Sequence, residues 1–387
     1  MSVKFIHTAD LQLAKPYGSI KDDDKRIELK NVRFEVFTTI KKMVEEHGAK
    51  FVVIAGDMFD SPTPTNPEVS KACKLIGAIK VPVYVIPGNH DHGGKGSVWY
   101  QDFFIREQPS LAPNLVILLE PKAIEIDHAI LFPCPLLRRH ESGDLTSWLR
   151  TIDTSVFPVN KPKIILAHGT TQDFSNGSTL DDEYIVANFI DLARLPENEF
   201  DYIALGDWHG TKKVGNKAWY AGTPEIDRFI KGAENKPGHV LLVEADCKKE
   251  PLVTEIRTTK VEWYEKEFEF LDENSLAVFE SEIDHLVGTS VSSHLLKLWL
   301  TGHLGLADFT KLEQFLEVLE SRLLRVKLDN KVTITPTKEE LETLKNRTDD
   351  PLISSVADKL FTEIANGSEN AEVAKVALRE LYAACNN

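Results

Sequence analysis

Five apolar, β-branched runs along this chain end in the same way, in residues able to bind a metal or move a proton. They are Val3-Lys4-Phe5-Ile6-His7-Thr8-Ala9-Asp10, Phe51-Val52-Val53-Ile54-Ala55-Gly56-Asp57, Val81-Pro82-Val83-Tyr84-Val85-Ile86-Pro87-Gly88-Asn89-His90-Asp91, Lys163-Ile164-Ile165-Leu166-Ala167-His168 and Tyr202-Ile203-Ala204-Leu205-Gly206-Asp207-Trp208-His209. Each reads as a buried strand that delivers polar chemistry at its carboxyl end. Open α/β sheets hold their ligands just beyond the strand ends, so the five endings predict one site assembled from distant loops.

Between these runs the apolar period becomes helical. Val32, Val36, Ile40, Met43 and Val44 share a face, with Asn31 expected as N-cap and Gly48 as stop. A second helix is expected to open with Asn66 as cap and Pro67 in its first turn, its core face carrying Val69, Cys73, Ile76 and Ile79. Strand, helix, strand, helix, strand predicts a parallel sheet with crossover helices. Further on, the apolar runs 114–119 and 129–132 predict a hairpin-like or mixed strand pair, and residues 170–200 read as loop and helix. From Tyr202 to about Val261 the chain is strand-rich, with a sharp turn at Gly222-Thr223-Pro224-Glu225.

The pattern changes near Trp263, where charged residues alternate with Phe268 and Phe270, so domains are expected at 1–262, 263–345 and 346–387. The middle one reads as a strand at Leu295 to Leu300, a helix face at Leu312, Phe315, Leu316, Leu319 and Leu323, and a short strand at Val332-Thr333-Ile334. Thr337-Lys338-Glu339-Glu340 has the form of a capping box. In the last, Asp350 caps a helix with the stripe Leu352, Val356, Leu360 and Ile364. Asn366-Gly367 breaks it before a second stripe of Val373, Val376, Ala377 and Leu381.

Charge and cysteine usage narrow the class. The 387 residues carry 60 acidic and 45 basic side chains, a formal charge of -15. General attraction to phosphate polymers needs a basic protein, so any role on nucleic acid must rest on a local patch, on metals or on a partner. Cys73, Cys134, Cys247 and Cys385 form no C-x-x-C pair, which argues against a zinc knot or a secreted disulfide framework and predicts a reducing, cytoplasmic setting. No signal-like start and no apolar run of ~18 residues occurs, so no membrane role is expected.

The strand endings collect Asp10, Gln12, Asp57, Asn89, His90, His168, Asp207 and His209. Carboxylates, imidazoles and a carboxamide together suit Mn²⁺ or Fe²⁺ better than a thiolate-seeking zinc site or an all-oxygen calcium site. These are more donors than one ion needs. Two divalent ions sharing one carboxylate would use them all, and would clamp the attacking and leaving oxygens of a phosphodiester.

In order and spacing, Asp10-Leu11-Gln12, Gly56-Asp57, Gly88-Asn89-His90-Asp91, His168 and Gly206-Asp207-Trp208-His209 resemble the calcineurin-like metallophosphoesterase superfamily. Its pattern is D-x-H, G-D, G-N-H-D/E, a lone H and G-H-x-H. The resemblance covers about residues 1 to 262 and implies an α/β sandwich of mixed sheets flanked by helices, followed by a smaller α/β cap domain and C-terminal helices. It also implies that Asp10, Gln12, Asp57 and His209 hold one ion and Asp57, Asn89, His168 and Asp207 the other, while His90 protonates the leaving oxygen. Gln12 stands where His is usual, and Asp207 where the first His of the last motif is usual. Both still offer a donor, with a tilt toward Mn²⁺ or Mg²⁺.

Within the superfamily, His7-Thr8-Ala9-Asp10, Leu205-Gly206-Asp207 and Gly222-Thr223-Pro224-Glu225 look like the SbcD-type DNA repair nuclease subunits. That likeness implies a DNA substrate, a cap domain that selects DNA shape, pairing into a homodimer and an SbcC-type coiled-coil ATPase docked on the C-terminal helices. The same motifs would serve a hydrolase of small phosphodiesters or nucleotides, or a scaffold subunit with a weakened metal site. Arg228 and Lys212 are candidates for contact with substrate phosphate. Asp60 and Asp91 are read either as tuning the site or as holding turns, and His7 as a core residue.

Overall fold

The computed structural model describes residues 2–171, 187–196, 198–230, 232, 235–272, 274–289, 291–335, 337, 340, 344, 350–367 and 370–386. The helix expected within 170–200, and most of the stretch between the Thr337 box and Asp350, lie outside them. The chain forms two compact units, Met1–Val261 and Glu262–Asn387.

The first unit is two six-stranded sheets face to face. Its strands are β1 (Val3–Thr8), β2 (Val52–Ala55), β3 (Val83–Ile86), β4 (Leu115–Ile117), β5 (Ile124–Glu125), β6 (Ile130–Cys134), β7 (Lys163–His168), β8 (Thr170–Thr171), β9 (Phe189–Ile190), β10 (Tyr202–Gly206), β11 (Lys212–Lys213), β12 (Ala218–Tyr220), β13 (His239–Ala245) and β14 (Leu252–Arg257). One sheet runs β14-β13-β1-β2-β3-β4, the other β11-β12-β10-β7-β6-β5, and β8 and β9 form a separate parallel pair. β1 to β4 are parallel, as are β6, β7, β10 and β12, so each sheet brings its central carboxyl ends to one edge.

Burial on both faces explains why these strands read as unbroken apolar runs. Phe51, Val53 and Ala55 fill the layer between the sheets with Phe5, Leu131, Ile164, Leu166, Tyr202 and Ala204. Their neighbours Val52 and Ile54 face the other way, into the layer formed with Phe37 and Ile40 of α1 (Asp23–His47) and Val69 and Ile76 of α2 (Asn66–Gly77). Trp99 joins that layer, as does Phe104 from α3 (Asp102–Leu111).

Several expectations are corrected. The cap of α1 is Asp22, whose carboxylate accepts from Lys25 N, while Asn31 lies inside the helix and accepts from Lys71 Nζ at 2.6 Å. The exposed first turns have no apolar stripe, so periodicity starts the helix too late. Thr65, not Asn66, caps α2, because Glu68 sits three residues on and completes the capping box. The runs 114–119 and 129–132 do not pair. β4 lies beside β3 in one sheet and β6 beside β7 in the other, with the chain crossing between sheets from one to the next.

The second unit repeats a strand and helix alternation through β15 (Glu262–Phe270), α4 (Ser275–Val287), β16 (His294–Leu304), α5 (Leu306–Arg322), β17 (Arg325–Asn330) and β18 (Thr333–Ile334). Its strands are all parallel and pack against Phe279, Ile283, Leu312 and Leu316. Glu340 and Thr337 form the expected reciprocal cap, with Glu340 also accepting from Leu306 N and Ala307 N at the start of α5. The terminal helices α6 (Pro351–Ala365) and α7 (Ala371–Asn386) meet α5 through Leu306, Ala357 and Leu378. Asp350 caps α6 as its sequence indicates. Among the described residues no helix is long and apolar enough to cross a membrane.

One charged side chain of α1 governs the site loops. Arg33 is 1% exposed and sits among Leu29, Val36 and Phe37 on the core face of the helix. Its guanidinium donates to the carbonyls of Asp10 (3.2 Å), Leu11 (2.8 Å), Gln12 (3.2 Å) and Glu225 (3.1 Å), to Thr223 Oγ1 (3.1 Å) and to Tyr17 Oη (3.3 Å). It therefore ties the loop after β1 to the Gly222–Glu225 turn. Arg33→Met strands these carbonyls without a donor, and is expected to lower the unfolding free energy by roughly 3 kcal/mol or more in urea denaturation. Arg33→Lys should recover only part of this, since one ammonium cannot span the fork.

Candidate metal centre

The strands end against each other where the two sheets meet. Beyond β1 and β2 the backbone stays paired in an irregular form, with Asp10 N bonded to Gly56 O, Gln12 N to Asp57 O and Leu13 N to Met58 O. The turns are tight. Asp10 (φ 51°), Gln12 (φ 42°), Asp57 (φ 53°) and Asp207 (φ 98°) all occupy the left-handed region. Such conformations cost of order 1 kcal/mol each in a residue with a side chain, and persist where surrounding bonds hold them.

Close approach also needs glycine. A Cβ on Gly56 would lie 2.1 Å from His168 Nδ1, and one on Gly88 would lie 2.1 Å from Asp57 Oδ1. With hydrogen alone at these positions, Asp10, Asp57 and His168 come together, all buried, with donor atoms within 4.8 Å of one another. His168 Nδ1 donates to the Ala55 carbonyl at 2.8 Å. Nε2 then faces Asn89 Oδ1 at 3.0 Å, Asp57 Oδ2 at 3.6 Å and Asp207 Oδ1 at 3.8 Å. Neighbouring ligands of an octahedral cation with bonds of ~2.1 Å stand about 3 Å apart, so this spacing suits one small divalent ion.

Backbone donors aim the carboxylates. Asp207 N reaches Asp10 Oδ2 at 3.1 Å, and His90 N reaches Asp57 Oδ1 at 2.9 Å. Thr170 Oγ1 donates to Asp207 Oδ2 at 3.2 Å. Burial, reinforced by the charges of Asp57 and Asp207 and offset by His209 and His168, pushes Asp10 up to about 6. Burial alone would lower His168, but the carboxylates of Asp57, Asp10 and Asp207 overcome it and raise the imidazole to about 9. A buried pocket this rich in negative charge, lined with oxygen and imidazole donors, fits a divalent cation.

The other side of the cluster holds Gln12 and His209. His209 Nε2 lies 4.0 Å from Asp10 Oδ1, and Gln12 Nε2 lies 3.2 Å from His209 Nε2. His209 Nδ1 is 3.2 Å from the buried carboxylate of Asp227, which also meets Arg228 and Lys15. Burial works to raise Asp227. The hydrogen bond and charge of His209, with Arg33 and Arg228, hold it far below the usual carboxylate range. Arg228 thus contacts both Asp227 and His209. Lys212 lies on β11, opposite Tyr220 of β12.

Lys15, Arg33 and Asp227 were not read from the sequence as site residues. Arg33 left one signal, a charge on an apolar helix face; Lys15 and Asp227 lie in polar stretches that look like solvated loop. His7 is buried beneath the site, bonded to Tyr202 Oη at 2.9 Å. Burial lowers it to about 3, so the imidazole is neutral.

His90 is half-buried, its Nδ1 2.9 Å from the Asp60 carbonyl, which fixes the proton on Nδ1 and leaves Nε2 bare in the neutral ring. Asp91 is a turn-holder. Its two oxygens accept from Gly88 N (2.8 Å) and Phe59 N (3.1 Å), and its own carbonyl accepts from Trp99 Nε1. Burial, with the charge of Asp57, pushes its carboxyl up to about 7. Asp91→Asn keeps the shape but turns an N–H₂ toward one of these amides. It is expected to cost about 1–3 kcal/mol in chemical denaturation.

Residues 3–230 match the family model for calcineurin-like phosphoesterases. Among solved structures the chain is similar to TT1561 of Thermus thermophilus, 12% identical with a TM-score of 0.39, over 66% of this chain and 100% of that one. It is also similar to GAP50, the anchor in the inner membrane complex of Plasmodium, 13% identical with a TM-score of 0.35, over 67% of this chain and 90% of that one. These two likenesses are too distant to carry an argument about chemistry. The family match, by contrast, spans more than half of the chain and every strand that supplies a cluster residue, and on that ground the chain belongs to the calcineurin-like phosphoesterase family.

Proposed function

We propose that this phosphoester hydrolase cuts the phosphodiester backbone of DNA, using two divalent cations, Mn²⁺ foremost. The observation that carries the metal-dependent reading is the buried meeting of Asp10, Asp57 and His168 within 4.8 Å. Asp57 is the bridging candidate, since it lies between the His168 side and the loop that carries His90. When bound, the cations supply Lewis acidity toward a phosphoryl oxygen and lower the pKa of a coordinated water. Asp10, Gln12, Asp57 and His209 would hold one ion, and Asp57, Asn89, His168 and Asp207 the other.

The remaining chemistry falls to side chains outside the cluster. With Nδ1 held by the Asp60 carbonyl, His90 presents Nε2 as the atom that carries a proton to the leaving oxygen. Arg228, 57% exposed beside His209, offers a planar guanidinium to the phosphate. The SbcD-like segments around Asp10, Asp207 and Gly222 support DNA as the substrate. An acidic chain has little general hold on DNA, which supports a partner that supplies it. We place an SbcC-type ATPase in that role, docked on α6 and α7, where Leu352, Val356, Val373 and Val376 are exposed.

The test is hydrolysis of labelled duplex and single-stranded DNA, and of bis(p-nitrophenyl) phosphate, with Mn²⁺ and with chelator. Wild type should cleave both substrate types only with metal, and His90→Ala should be slower by roughly 10²–10⁴-fold while still binding Mn²⁺. Cleavage of the small diester but never of DNA assigns a small-molecule substrate. Inactivity on both, with no Mn²⁺ bound, overturns the reading.

A further inference from the structure

The two sides of the cluster are built differently. Around His168 the neighbours are the carboxylates of Asp57, Asp10 and Asp207 and the Asn89 amide. On the Gln12 side stands a lysine. Lys15 Nζ lies 2.6 Å from Gln12 Oε1, 3.1 Å from Asp227 Oδ2 and 3.4 Å from Asp60 Oδ1, with its side chain 22% exposed.

An ammonium only donates, so the amide atom that faces it is the oxygen. The Gln12 nitrogen is thereby turned to His209 Nε2 and donates to it across 3.2 Å. His209 Nδ1 lies 3.2 Å from Asp227 Oδ1. Gln12 Oε1 and His209 Nε2, the two atoms this side adds to the carboxylates of Asp10 and Asp57, therefore each already have a hydrogen-bond partner inside the protein. Any ion that took Oε1 as a ligand would share it with a full positive charge. Arg228 adds another, its Nη2 2.9 Å from Nδ1 and 3.3 Å from Nε2 of the same imidazole.

The geometry points to an unequal pair of cation sites, in which the His168 side fills first and Lys15 holds the Gln12 side closed as an internal competitor for the second divalent ion. The lysine acts through Gln12, so it is a positioning residue. The inference rests on the phosphodiesterase reading only in needing divalent cations at this cluster. It separates this chain from a site with imidazole at position 12, which, with one nitrogen on the ion and the proton on the other, leaves an ammonium no acceptor to hold.

Calorimetric titration with Mn²⁺ alone, paired with electron paramagnetic resonance of the Mn²⁺ signal, tests this on the full chain. Wild type should take up one Mn²⁺ at least about tenfold more tightly than the second, a gap of ~1.4 kcal/mol. Lys15→Met should close most of that gap and give an exchange-coupled Mn²⁺ pair at two equivalents, whereas Lys15→Arg, which keeps the charge, should preserve it. Gln12→His removes the acceptor by a different route and should close the gap as well, which guards against misfolding of the Met variant. Equal loading of both sites in wild type, or a gap that survives in both Lys15→Met and Gln12→His, overturns the inference while leaving DNA hydrolysis untouched. Absence of any Mn²⁺ binding removes the phosphodiesterase reading along with it.

Discussion

A hydrogen bond between the sheets, from His168 Nδ1 at the end of β7 to the carbonyl of Ala55 at the end of β2, is the contact on which the site depends. It sets the tautomer of the imidazole, and with it the nitrogen that faces the carboxylates. It is possible because residues 56 and 206 have no side chain. The two parallel sheets thus do more than bury apolar surface. Their stacking brings strand ends from opposite layers close enough for Asp57 and His168 to share one pocket.

That pocket is held against its own chemistry. Several buried carboxylates repel one another, and four of the residues that meet there have left-handed backbones. Both costs are met from outside the cluster. Arg33 clamps three successive carbonyls of the β1 loop, Asp91 ties Gly88 to Phe59, and Glu225 accepts from Lys260 N and Val261 N to hold the far turn. A metal site of this kind needs rigid support, because an error of a fraction of an ångström in any ligand is felt in affinity.

The two departures from the family pattern pull in different directions. Asp207 adds charge beside His168, where its amide also steadies Asp10. Gln12 is neutral, and its oxygen is engaged by Lys15. Charge is therefore concentrated on one side of the pocket and compensated on the other.

The sequence by itself determined that five strands end in metal-binding chemistry, because strands buried on both faces leave unbroken apolar runs and any polar ending stands out. It also determined the stripes of α1 and α2, since helical period survives wherever one face is buried, whereas in α6 and α7 Leu352, Val356, Val373 and Val376 of the expected stripes are exposed and Ala357 and Leu378 are the buried positions. The tertiary structure alone decided the rest. It moved the caps to Asp22 and Thr65, split the runs 114–119 and 129–132 between two sheets, and gave Lys15, Arg33 and Asp227 their work. The reason is physical. A pattern along the chain records whether a position is buried, whereas a charge in a loop takes its role from partners far away in sequence, as Lys15 does from Asp60 and Asp227.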